Sequence, residues 1–77
     1  MKSDQDQLFA KQFGEFIRNA REKRGMYQED VAQQIGISRA YLSTLELGKR
    51  NVDFGMALKI CDVLRVDLNE FIQSCRQ

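Results

Sequence analysis

Apolar residues recur with helical spacing in five segments of the chain, and no segment alternates as a strand would. Phe9, Phe13, Phe16, Ile17 and Ala20 fall at i, i+4, i+7, i+8 and i+11, a single stripe on a helix that the pattern starts near Gln7. Asp4 or Asp6 is placed to cap it, and Gly25 after the basic run REKR marks its end. The stretch Gln28 to Glu46 then holds two shorter patterns, Val31, Ala32 and Ile35 before Gly36, and Leu42 and Leu45 after it on a new phase. Gly36 suits a left-handed helix end, Ser38 suits an N-cap, and Ile37 with Leu42 has the spacing of a hydrophobic staple. Two short helices joined by a tight bend follow, a helix-turn-helix.

Beyond this pair, the third helix stops at Gly48, and Gly48 to Asn51 form a loop with two cations. Asp53 is placed to cap a fourth helix, with Val52 and Ala57 as its staple and Phe54, Ala57, Leu58, Cys61 and Leu64 as the expected inward stripe. A fifth helix begins at Asp67, where Asp67 and Glu70 match a variant capping box, Val66 and Phe71 match a staple, and Leu68, Phe71 and Ile72 supply the expected buried face. Residues 1–6 lack hydrophobic periodicity and are expected to be a flexible lead; residues 7–77 then form a single all-α domain of five helices.

Length and composition fit that size. The chain has 77 residues, 43% of them hydrophobic, without proline, tryptophan or histidine, enough for one modest core. No apolar run approaches the roughly 18 to 20 residues needed to span a bilayer, and the polar amino end is unlike a signal peptide, so a cytoplasmic protein without membrane association is expected. Cys61 and Cys75 fit neither zinc-ligand nor redox-pair spacing, which predicts two structural thiols and no metal. The formal charge of +1 conceals a division: residues 1–17 carry two basic against three acidic side chains, residues 51–77 three against four, and residues 18–50 seven against four. Positive charge therefore gathers around the bihelical stretch. Catalysis is not expected: histidine is missing, G-x-S-x-G is missing, and Gly48-Lys49 lacks the rest of a phosphate-binding loop.

Residues 12–72 resemble the phage repressor and Cro-type (XRE-like) helix-turn-helix family of DNA-binding transcriptional regulators. The likeness rests on Arg21, Gln28, Ala32, Gly36, Ser38, Leu42, Glu46, Gly48 and the Leu64 to Leu68 pattern at family spacing. It implies a lambda-repressor-like domain in which the third helix enters the major groove and presents Ser38, Arg39, Ala40, Ser43 and Thr44 to base edges. It also implies that Gln28, Lys49 and Arg50 reach phosphates, and that Arg21 and Glu46 form a buried ion pair. Arg39 has the geometry for paired bonds to guanine N7 and O6, Ala40 for a thymine methyl, and Ser43 and Thr44 are short adaptable donors. Two positions depart from the family pattern. Tyr27 stands where Ser or Thr caps the second helix, which leaves that helix without a side-chain cap or turns the tyrosine hydroxyl toward a phosphate. Arg65 replaces a glycine after the fourth helix, which predicts a strained or altered cap.

The expected function is sequence-specific binding of a double-stranded DNA operator, with repression by occupancy, as a homodimer joined through helices four and five. Neither a cofactor nor a small-molecule ligand is expected, nor, at this length, an effector domain. The alternative is an antitoxin or adaptor of the same fold that mainly binds another protein, which an exposed apolar patch on helices four and five much larger than a symmetric dimer needs would favour.

Overall fold

The computed structural model describes residues 4–75, in five helices: α1 Asp4–Lys23, α2 Gln28–Ile35, α3 Arg39–Glu46, α4 Phe54–Leu64 and α5 Leu68–Ser74. The all-α architecture agrees with the sequence pattern. α1 starts earlier than the pattern predicts, at Asp4, because polar residues continue the helix without adding to its apolar stripe. Asp4 and Asp6 lie within the helix rather than ahead of it. Of the expected flexible lead, positions 1–3 lie outside the described residues.

Four helix ends share one hydrogen-bond pattern, in which the residue after a positive-φ position donates to the carbonyl five residues back. Met26 N donates to Arg21 O at 3.1 Å, Ile37 N to Ala32 O at 3.0 Å, Lys49 N to Thr44 O at 3.1 Å and Val66 N to Cys61 O at 2.9 Å. Each such end needs a residue with positive φ. Three of the four use glycine, but α4 uses Arg65 at φ 57° and ψ 43°. The strained cap expected there is present, and for a side-chain-bearing residue that conformation costs about 1 to 2 kcal/mol.

α1 packs on α3 and α4, α2 on α3 and α4, and α5 on α4. The core is Phe13, Ile17, Val31, Leu42, Leu45, Ile60, Leu64 and Phe71 with smaller neighbours. Phe71 fastens α5 to α1 as well, its ring centroid 5.2 to 5.3 Å from those of Phe9, Phe13 and Phe16. Two expected stripes need correction. On α4 the buried residues are Ala57, Ile60, Cys61 and Leu64, while Phe54 and Leu58 are exposed. On α5 Phe71 is buried, Leu68 is half-buried and Ile72 is exposed. α4 is apolar on most of its circumference, so periodicity alone leaves its inward direction open, and contact with α2 and α1 decides it.

Gly14 marks the closest approach of α1 to α3. A Cβ there would collide with the carbonyl oxygen of Leu45 and lie 2.7 Å from that of Glu46. The absent side chain lets the end of α3 rest directly on α1, which sets the height of the recognition-helix candidate above the core.

Candidate nucleic-acid interface

The bend between α2 and α3 is built as its residues dictate. Gly36 adopts φ 92° and ψ 29°, and its N–H bonds to Ala32 O at 2.8 Å. Ser38 then takes extended backbone, and its Oγ accepts from Tyr41 N at 3.0 Å, supplying one of the partners the first turn of α3 lacks. Leu42, Leu45 and Glu46 face the core. Ser38, Arg39 and Ala40 are exposed, and Ser43 and Thr44 are half-buried. Thr44 Oγ1 donates to Ala40 O at 2.9 Å, so that hydroxyl proton is engaged within the helix while its oxygen stays free to accept.

Beneath α3 lies the one buried polar or charged side chain among the described residues, Glu46. Arg21 grips it with two parallel bonds, Nε to Oε2 at 2.7 Å and Nη2 to Oε1 at 3.0 Å, and its third nitrogen donates to Met26 O at 2.8 Å. The hydrogen bond to Glu46 raises the guanidinium pKa above its ordinary value against partial desolvation, and the Glu46 and Glu22 charges raise it further. Gln28 Nε2 also donates to Glu46 Oε1, at 2.9 Å, and Gln28 Oε1 accepts from Arg39 Nη1 at 3.5 Å. The expected Arg21–Glu46 pair is thus part of a longer chain that runs from α1 through the floor of α3 to the start of α2 and out to Arg39. Such a fork fixes direction as well as distance.

Gln28 therefore has one amide hydrogen on Glu46. The first turn of α2 offers more, because Tyr27 provides no side-chain cap and the first backbone bond of that helix is Val31 N to Tyr27 O. The amides of Gln28, Glu29 and Asp30 precede that bond and point along the dipole, an arrangement suited to an anion. A cleft lined by Arg21, Tyr27, Gln28, Glu29, Asp30 and Arg39 opens at this end.

At the other end of α3, Lys49 and Arg50 are exposed. The Arg50 guanidinium lies 5.3 Å from the centroid of the Tyr41 ring, folded back along α3 rather than extended from the loop. Sequence reasoning did not single out Tyr41. Its position three residues after the Ser38 cap carries a faint signal, but the direction of the loop that returns Arg50 to it is a tertiary fact. Among the described residues no group of His, Cys, Asp or Glu side chains is arranged to hold a metal ion, and no helix is long and apolar enough to cross a membrane.

Comparison with known proteins adds to this geometry. A helix-turn-helix family model matches residues 17–71. The chain is 41% identical over 59 residues to the control protein C.MunI of a Mycoplasma species, covering 75% of this chain and 80% of that protein. It is 31% identical over 62 residues to the ImmF control region 10 kDa protein of Bacillus phage phi105, covering 80% and 69%. The crystal structure of the restriction-modification controller protein C.AhdI from Aeromonas hydrophila superposes with a TM-score of 0.75 at 32% identity, over 80% of this chain and 94% of that one. The chain spans 53% of the length of the uncharacterized regulator YqaE of Bacillus subtilis, to which it is 28% identical over 61 residues and 79% of its own length.

Proposed function

The chain belongs to the XRE-type helix-turn-helix family of DNA-binding transcriptional regulators, and from that premise we propose that it represses transcription by occupying a two-fold DNA operator, with α3 in the major groove. It acts in the cytoplasm, by occupancy and without catalysis. One observation carries the reading: the outward face of α3 is free of large apolar side chains in its first turn and has anion-suited groups at both ends. The α2 amides and Arg39 stand at one end, and Lys49 and Arg50 at the other. Eight residues make α3 about 12 Å long, comparable with a major groove about 12 Å wide between its phosphate backbones. Arg39 reads guanine, Ala40, Ser43 and Thr44 read or pack on neighbouring bases, Ser38 donates its hydroxyl there, and Gln28, Lys49 and Arg50 hold phosphates.

The operator is two-fold because the protein binds as a homodimer through α4 and α5. Support comes from an exposed apolar face: Phe54, 69% exposed, lines with Phe9, Val52, Leu68, Phe71 and Ile72 a groove of about 250 Å³. One apolar face suits a second copy across a two-fold axis, where the same surface meets itself. Selection of bound sequences from a random duplex pool tests the function. An enriched site with two inverted halves about one helical turn apart is expected; a pool that stays random overturns the reading. Sedimentation tests the pairing, since a monomer at high micromolar concentration would leave the apolar face for an adaptor's partner protein.

A further inference from the structure

We propose that Lys11 of α1 is a further DNA-backbone contact, which forms with Lys49 a two-lysine seat for two neighbouring phosphates, one to each lysine, beside the C-terminal end of α3. The proposal rests on the docking just described and extends it to a helix outside the bihelical motif. Its basis is a close approach between distant parts of the chain. Gly48 takes φ 74°, and a Cβ on it would lie 2.6 Å from Lys11 Cα and 2.9 Å from Lys11 Cγ. The backbone of α1 and the loop that carries Lys49 are therefore in contact at Lys11, and the two lysines border one notch with Gln7, Leu47, Gly48 and Asn51. No carboxylate lines this notch. The polar residues that line it are two lysines and two side-chain amides, types that all donate to an anion.

Lys11 is exposed and has a carboxylate one turn along its own helix, Glu15. The ion pairs among the described residues are nevertheless Arg18–Glu22 and Arg21–Glu46, and Lys11 belongs to neither. The ligand is a phosphodiester of duplex DNA rather than a base, because the seat lies past the end of α3 and presents point charges without a planar fork. Phosphates on the far side of the groove from Arg39 and the α2 amides are the ones it reaches.

Counting released counterions separates this contact from packing. Affinity for the selected operator and for a scrambled duplex is measured by fluorescence anisotropy between 50 and 200 mM salt, for wild type, Lys11→Gln, Lys11→Arg and Lys49→Gln. Lys11→Gln is expected to lower the salt slope by about 0.9 per protomer on both duplexes, which shrinks the affinity change across that range about threefold per protomer. Lys11→Arg is expected to keep the slope. A wild-type slope in Lys11→Gln alongside a reduced slope in Lys49→Gln overturns the proposal and leaves the docking of α3 intact. A slope that neither glutamine variant moves removes both.

Discussion

α1 is tied to the rest of the molecule at two places by opposite kinds of chemistry. Near its C-terminus Arg21 holds the buried Glu46 of α3 with two parallel hydrogen bonds; toward its N-terminus three phenylalanine rings surround Phe71 of α5. The aromatic tie supplies burial, is largely indifferent to small rotations, and stabilises roughly in proportion to area. The ionic tie contributes less net free energy, because both charges had to leave water, but it tolerates one relative orientation of the two helices. The helix proposed to meet DNA at a set angle has the orienting tie, and the helix that closes the core has the burying one.

Replacing the two anchors would break this contrast most sharply. Phe71→Ala should destabilise the protein by about 3 to 5 kcal/mol in denaturant melts, whereas Phe71→Leu, closer in volume, should cost much less and leave operator affinity of the folded protein unchanged. Glu46→Gln should lower stability by about 3 kcal/mol, the low end of the range for a broken buried pair since Arg21 reaches solvent. Unlike the Phe71 variants, it should also weaken operator binding at temperatures where the protein is fully folded. Equal effects of Glu46→Gln and Phe71→Leu on DNA affinity would show that the ion pair has no orienting role.

The helix ends offer a finer comparison. α2 and α4 close with the same hydrogen-bond pattern, but Gly36 occupies the left-handed position in one and Arg65 in the other. Arg65→Gly should raise stability by about 0.5 to 1 kcal/mol, the relief of strain minus the added freedom of the unfolded chain; a lower melting temperature would mean that the arginine side chain contributes more than its backbone costs. The smallest effect concerns Cys61. Burial, with Asp67 and Glu70 nearby, pushes its thiol above the usual 9.0. Stability from the neutral buried thiol is therefore fully present below pH 9 and falls as the pH rises above it. Cys61→Ala should flatten the alkaline side of the stability profile.

Much of this architecture could be read from residues whose signals are local. Gly36, Ser38, Asp53 and Asp67 announce helix ends through side-chain and backbone chemistry within a few positions, and the structure has caps at each. The Arg21–Glu46 pair was legible only through family resemblance, since 25 residues separate the partners. What stayed hidden depended on how distant segments meet. Phe54, Leu58 and Ile72 looked like core because apolar spacing cannot say which side of a mostly apolar helix has a neighbour. Gly14 resembled any helix glycine until α3 was found resting on it. The stacking of Arg50 on Tyr41 and the meeting of Lys11 with Gly48 both follow from the path of one loop, and no periodicity encodes that path.

If the outward face of α3 reads bases, Arg39 carries the sharpest sequence preference. Affinities of wild type and Arg39→Ala are compared on the selected operator and on duplexes that change each base pair in turn. Wild type is expected to lose about 1 to 3 kcal/mol when one guanine in each half-site is replaced, and Arg39→Ala to be indifferent to that replacement alone. An Arg39→Ala protein that discriminates every position as wild type does would contradict base reading by Arg39.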